Sequence, residues 1–287
     1  MKYRHSFHAG NFADVHKHVT LLALLAALQK KDKGFLYLET HAGRGAYDIS
    51  TPTADAAGGI GRLGQGAGEG AELGAYLALL ARLRAQFGQR HLYPGSPLLA
   101  VATLRPQDRA VLVELQGSEV NALNHTLADY ARVHEGVAPQ VQVERGDGYA
   151  RLKAWLPPPE RRGLTFIDPP YEQTGEDFQA VTRSLAEGLR RFPTGMMAAW
   201  YPIKDERSSS VWQHACMRTL NVPILASELW LYPRDSRVAL NGSGLLIVNP
   251  PHQVLERMQA WLPELTAALS ADPAAGSRAF MLAESTA

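Results

Sequence analysis

Four times along this chain of 287 residues a strand-length apolar run stops abruptly at an acid, a glycine or a proline. The runs are "FLYLETHAGRG" from Phe35, "RAVLVEL" from Arg109, "VQVERGDG" from Val141 and "LTFIDPPY" from Leu164. Such short runs read as strands, the last of them buried, and helical stretches are interleaved with them. Such alternation predicts βαβ units, a largely parallel sheet and right-handed crossovers. In an open sheet of that kind ligands bind beyond the carboxyl ends of the strands, so the residues that close each run are the candidates for chemistry.

The remaining segments fit around this core. Residues 12–30, "FADVHKHVTLLALLAALQK", predict a helix with Asp14 near its start. Eight glycines then fall between 58 and 74, followed by the amphipathic "AELGAYLALLARLRAQFG". We read residues 50–95 as an inserted helical segment with a flexible front. "NALNHTLADYARV" and "GEDFQAVTRSLAEGLRRF" are further helices, and "TGMMAAWYPI", "ILASELWLYP" and "GSGLLIVNP" are strands, two of them forming an antiparallel edge. A last helix covers 252–270, and the Ala/Ser-rich tail is expected to be disordered.

Composition narrows the class. With a formal net charge of +1, no global positive field announces a polyanionic partner. Local patches would have to hold one: Lys2, Arg4 and Lys17; Lys30, Lys31 and Lys33; Arg161 and Arg162. The single cysteine, Cys216, excludes an internal disulfide and a multi-cysteine zinc site. The apolar run Val19 to Leu28 is short against the roughly 20 residues of a membrane span, and the start "MKYRHSFHAG" lacks an apolar leader core. These features predict a soluble, cytoplasmic protein.

The fourth run closes on Asp168-Pro169-Pro170-Tyr171. As a plain turn the tetrapeptide needs no ligand, because Asp caps and each proline fixes φ. As a site it forms an acceptor-only rim: the Asp168 carboxylate and the Pro169 carbonyl accept, and Tyr171 supplies a flat wall. That rim suits a planar group with two N–H donors, such as the exocyclic amine of a nucleobase. The other ends add to it. Gly43 and Gly45 allow close backbone approach after the first run, although a tight turn explains them equally well. Glu114 stands where ribose hydroxyls are held, and Asp147-Gly148 could meet the amine of a cofactor adenine or simply make a turn. The dinucleotide fingerprint G-x-G-x-x-G is absent, which argues against nicotinamide or flavin. Taken together, a glycine loop, a ribose acid, an adenine acid and D-P-P-Y follow the order found in amino-methylating enzymes that use S-adenosyl-L-methionine.

The segments "YRHSFHAGNFADVHKH", "YLETHAGRGAY", "YPGSP", "WYPIK" and "DPPYE" resemble the bacterial 23S rRNA adenine-N6 methyltransferase family RlmJ across essentially the whole chain. The resemblance implies a Rossmann-like class I methyltransferase sheet of the α/β class, residues 1–49 and 96–287, with a small helical subdomain inserted at 50–95. It implies S-adenosyl-L-methionine as methyl donor. It further implies cofactor contacts at Lys17, His18, His41, Ser96, Glu114, Asp147, Gly148 and Asp168, with Asp168 as the catalytic acid and Tyr3 touching the substrate. Pro169 and Tyr171 complete the catalytic rim, Tyr171 by stacking on the target base. The expected partner is 23S rRNA, free or early in assembly, and the expected state is a monomer.

Four rival readings remain. His5, His8, His16 and His18 with Asp14 offer metal-ligand chemistry, but His16 and His18 are two apart and would diverge on a helix, whereas a helical metal pair prefers i, i+4. A non-catalytic RNA-binding protein with the same fold should show damage at D-P-P-Y or at Glu114, and neither is damaged. DNA adenine is a third possibility that the tetrapeptide does not separate from RNA. A protein amide usually goes with Asn in place of Asp168 and ranks last.

Overall fold

The computed structural model describes residues 8–51, 53–63, 70–233, 240–270 and 272–283. Tyr3, Lys2, Arg4, His5 and the glycines at 64, 66 and 68 lie outside the described residues. The chain opens with α1 (Phe12–Gln29), capped by the Asn11 side chain, which accepts from the Asp14 amide at 2.8 Å. β1 (Leu36–Glu39) follows, then β2 (Ala46–Asp48), α2 (Ala54–Gly58), a 3₁₀ turn (Ile60–Arg62), α3 (Ala71–Phe87), β3 (Leu92–Pro94) and α4 (Ser96–Val101). Next come β4 (Arg109–Glu114), α5 (Gly117–Val133), β5 (Gln140–Arg145), α6 (Gly148–Trp155), β6 (Gly163–Ile167) and α7 (Thr174–Arg191). The chain ends with β7 (Met196–Ile203), α8 (Glu206–Leu220), β8 (Ile224–Trp230), β9 (Gly242–Val248), α9 (Val254–Leu269) and β10 (Gly276–Ala283).

Eight strands form one sheet in the order β10-β8-β9-β7-β6-β1-β4-β5. β5, β4, β1, β6 and β7 run parallel, and β9 is antiparallel to both β7 and β8. The chain therefore starts in the middle at β1, moves out through β4 to β5, and crosses back to β6. The crevice between β1 and β6 is the point where strand order reverses. Side chains alternate across the sheet as period 2 requires: Phe35 and Tyr37 join the core beneath α1, while Leu36 and Leu38 join that beneath α6. α1, α3, α4 and α9 cover one face and α6, α7 and α8 the other. The inserted stretch shares the first core, through Leu73, Tyr76, Leu80 and Leu83 of α3.

Several sequence expectations change. The glycine-rich front is ordered at both described ends, as α2 with its 3₁₀ turn and as the first turn of α3. The tail is not disordered through Ala283: residues 276–283 pair antiparallel with β8 and form the sheet edge in place of β8 or β9. The segment "GSRAFMLA" is weak in β-branched residues, so its strand state comes from pairing and packing rather than from propensity. Arg278 on β10 reaches the buried Glu228 carboxylate at 2.6 Å. Truncation before Gly276 removes that partner and uncovers β8, so we expect a loss of about 3–5 kcal/mol, read as a lower urea midpoint.

Two members of the basic patches, Lys17 and Arg162, are engaged within the fold. Arg162 donates to the Leu28 carbonyl at 2.6 Å and to the Lys33 carbonyl, tying the end of α1 to the loop before β6. This cluster sits at the amino ends of the parallel strands, away from the switch-point crevice. Among the described residues no helix is long and apolar enough to cross a membrane.

Candidate active site

A cavity of about 1630 Å³ opens at the carboxyl ends of β1, β4, β5 and β6. Every site residue expected from sequence, apart from Tyr3, lines it: Lys17, His18, His41, Ser96, Glu114, Asp147, Gly148, Asp168, Pro169 and Tyr171. Residues as far apart in sequence as Lys17 and Asp168 meet because α1 lies across the sheet and brings its first two turns to this crevice.

The three residues His16, Lys17 and His18 diverge around α1. His16 is fully buried between Ser243 at 2.9 Å and Ser227 at 3.0 Å, and burial pushes its pKa down to about 3, so it is a neutral packing group. His18 bonds the Tyr93 hydroxyl at 3.1 Å. Lys17 points at the site, with Nζ 2.6 Å from Asp168 Oδ2 and 2.8 Å from Asp14 Oδ1. Burial opposes its charge, but the two carboxylates more than offset that and hold the ammonium charged well above its ordinary range. Asp14 also accepts from the Gly10 amide at 3.0 Å, which fixes the start of α1 to this ion cluster. Two carboxylates around one ammonium leave the cluster with a formal charge of −1.

The rim at Asp168 has the predicted acceptor character. Among the described residues no backbone amide donates to the Pro169 carbonyl, whereas the Pro170 carbonyl accepts from Glu172 at 2.8 Å. Tyr171 is braced: its hydroxyl donates to the Trp200 carbonyl at 2.7 Å, and its ring meets Phe178 and Trp200 edge-on at 5.2 and 5.6 Å. The wall beside Asp168 is therefore a packed aromatic group that includes Trp200.

The other strand ends build a cradle. Glu114 accepts from the Gly43 amide at 2.9 Å and the Gln116 amide at 2.7 Å, drawing the loop after β1 against the end of β4. Gly43 adopts φ +63° there, a conformation that other residues rarely take. Asp147 caps α6 through Oδ1, which accepts from the Tyr149 amide at 2.9 Å. Among the described residues no group donates to its Oδ2. His41 is half-buried, bonded to Thr40 and edge-on to Tyr149 at 4.8 Å, and desolvation lowers its pKa to about 4, so the imidazole is neutral. Among the described residues the buried Tyr149 hydroxyl has no hydrogen-bond partner. An unpartnered buried hydroxyl is a feature expected of a pocket shaped for a polar ligand.

Sequence reasoning missed Asp14, Trp200 and Glu39 as parts of the site. Glu39 ends β1 and is fully buried, accepting from Ser96 Oγ at 2.5 Å and from the Tyr37 hydroxyl at 2.9 Å. Burial raises its pKa from 4.5 to about 8. The native state thus holds this proton over a range where the unfolded chain has lost it. Its contribution is fully present below about pH 4.5, declines as pH rises, and levels off above about 8. We expect Glu39→Gln to flatten that decline by roughly 1 kcal/mol per pH unit in urea unfolding measured across this range.

A parallel sheet that reverses at β1, with β9 inserted antiparallel beside the last parallel strand and the ligand crevice at the reversal, is the Rossmann-like class I methyltransferase fold. The model of the family described as "Ribosomal RNA large subunit methyltransferase D, RlmJ" matches residues 32–281, and the chain belongs to that family. It is 41% identical over 269 residues to the Ribosomal RNA large subunit methyltransferase J of Escherichia coli K12, covering 92% of each chain. It is 37% identical over 273 residues to the protein of that name from Haemophilus influenzae, covering 94% of each. The crystal structure of protein LPL1258 from Legionella pneumophila superposes with a TM-score of 0.82 at 34% identity, over 97% of this chain and 99% of that one.

Proposed function

We propose that this protein transfers a methyl group from S-adenosyl-L-methionine to the N6 amine of an adenine in 23S rRNA. The observation that carries this reading is the Asp168-Pro169 rim held by Lys17 at the crevice where strand order reverses. A carboxylate and a free carbonyl side by side match the two hydrogens of an exocyclic amine.

The cofactor fits the residues present. Glu114 can take ribose hydroxyls on its remaining lone pairs, and Asp147 Oδ2 is available to an adenine amine. The negative Asp14–Lys17–Asp168 cluster favours a cationic ligand. Bound there, S-adenosyl-L-methionine would supply an electrophilic methyl group.

The chain's own part is positioning. An adenine amine is a poor nucleophile because its lone pair is delocalised into the ring. Hydrogen bonds to Asp168 and to the Pro169 carbonyl orient it and favour a pyramidal nitrogen. Lys17 fixes the Asp168 rotamer from behind, leaving Oδ1 for the amine. The braced Tyr171 ring offers a stacking surface, a contact worth roughly 1–3 kcal/mol per base, and the target base must leave its own stack to reach it. The family membership and the names of its curated relatives support ribosomal RNA as the substrate class.

The test is transfer of labelled methyl from S-adenosyl-L-methionine to unmodified 23S rRNA, intact large subunits and adenine-containing DNA, with digestion to nucleosides. N6-methyladenosine from the rRNA is the expected product. Label on DNA alone would overturn the substrate, and no label on any of the three would overturn the reaction.

A further inference from the structure

Glu39 is a buried titratable group that the mechanism above leaves without a task. It occupies the end of β1, one residue before the cavity wall begins at Thr40, and its Ser96 partner lines that cavity. The groups facing it are the Tyr37 hydroxyl on its own strand, Ser96 at the start of α4, Lys17 from α1 and Asp168 beyond β6. Lys17 favours its ionised form but is engaged by Asp14 and Asp168, and Asp168 disfavours it. No cation lies within salt-bridge distance of Glu39 among the described residues, so an ionised carboxylate there would rest on two hydroxyl donors alone.

We propose that Glu39 is a positioning residue that stays protonated in the ligand-free protein and releases its proton when a cofactor carrying an ammonium group fills the cavity. The inference rests on the cofactor reading given above. Its physical basis is the polarity of Ser96. When Glu39 is ionised, both neighbouring hydroxyls point their hydrogens at it, and the Ser96 lone pairs are left for an N–H donor in the cavity. When Glu39 is neutral, its own proton can go to Ser96, whose hydrogen is then free to face the cavity. An ammonium ligand therefore binds best to the ionised form, and the proton passes to solvent. A sulfonium has no N–H to give Ser96, so the amino-acid arm and not the methyl-bearing sulfur drives the change. The burial that raises the carboxyl's pKa towards 8 keeps the ligand-free form protonated at neutral pH.

The experiment is titration calorimetry of the full chain at pH 7 in buffers of different ionisation enthalpy, with three probes. S-adenosylmethionine and S-adenosylhomocysteine carry the ammonium, and 5′-methylthioadenosine does not. Release of about one proton with the first two and none with the third is expected, together with affinity that rises up to tenfold per pH unit below about pH 8. Glu39→Gln should bind with no proton released and with a flat pH profile. Tyr37→Phe removes one donor to the ionised form and should move the midpoint of proton release upward by about half a unit. That variant keeps the test decisive if Glu39→Gln does not fold. Equal release from methylthioadenosine, unchanged release in Glu39→Gln, or an unmoved midpoint in Tyr37→Phe would overturn the inference while leaving the cofactor reading intact. Failure of all three probes to bind would overturn both.

Discussion

Asp168→Ala is expected to lower methyl transfer by at least about a thousandfold while the protein remains folded and still binds its cofactor. The size follows from what Asp168 supplies in the proposed reaction: the charged half of the acceptor pair that would orient the amine, in a crevice where an electrostatic contact outweighs its value in water. The fold should survive because Lys17, which would otherwise be a buried uncompensated charge, keeps Asp14 at 2.8 Å. Asp168→Asn should fall less steeply, since it retains one acceptor oxygen and the side-chain shape. Single-turnover transfer with saturating RNA, beside cofactor affinity measured separately, distinguishes these effects. Retained turnover in the alanine variant would remove Asp168 from the reaction.

Gly148→Ala strikes the fold and the cavity at once. A Cβ at this position would lie 1.9 Å from the Thr40 carbonyl oxygen and 2.6 Å from its carbonyl carbon. Both are main-chain atoms at the end of β1, so no side chain can swing aside to make room. Either the β5–α6 turn or the His41 loop must move, and each lines the cavity. We expect a cost at or above the usual 1–3 kcal/mol of overpacking, a fall in Tm of several degrees, and cofactor binding weakened at least tenfold. Thermal unfolding with and without S-adenosylmethionine measures both. An unchanged Tm would mean that the turn is far more compliant than its packing implies.

The parts of this architecture legible in the sequence share a physical cause. β1, β4 and β6 are apolar on both faces and end at residues that stop a strand, so their positions and their carboxyl-end acids could be read together. The open question at Asp168, turn or rim, could not be decided locally, because the answer lies with Lys17, 151 residues away in sequence. The place of Glu39 at the end of β1 could be read, but not its surroundings, because its partner Ser96 lies 57 residues on. α8 carries only a thin stripe in "ERSSSVWQHACMRTL", Trp212, Cys216 and Leu220 at i, i+4 and i+8, and its limits come from the Asp205 cap and the left-handed Asn221. β10 is a strand only because β8 offers it an edge. The Arg162 charge looked available for a polyanion, but it bonds backbone carbonyls of Leu28 and Lys33 that no local pattern could point to.

α1 is made early in translation but finds its partners late. His16 waits for Ser227 and Ser243, which are 211 and 227 residues further along. A nascent chain released before residue 227 thus has the complete D-P-P-Y strand yet lacks both serines that hold His16 on the helix that delivers Lys17 to it. Contacts this distant in sequence make folding slow compared with helix formation, and they make the site an all-or-none product of finished synthesis. Amino-terminal fragments should be inert even when they contain every acid of the crevice, and activity should return only when the carboxyl-terminal strands are supplied in trans.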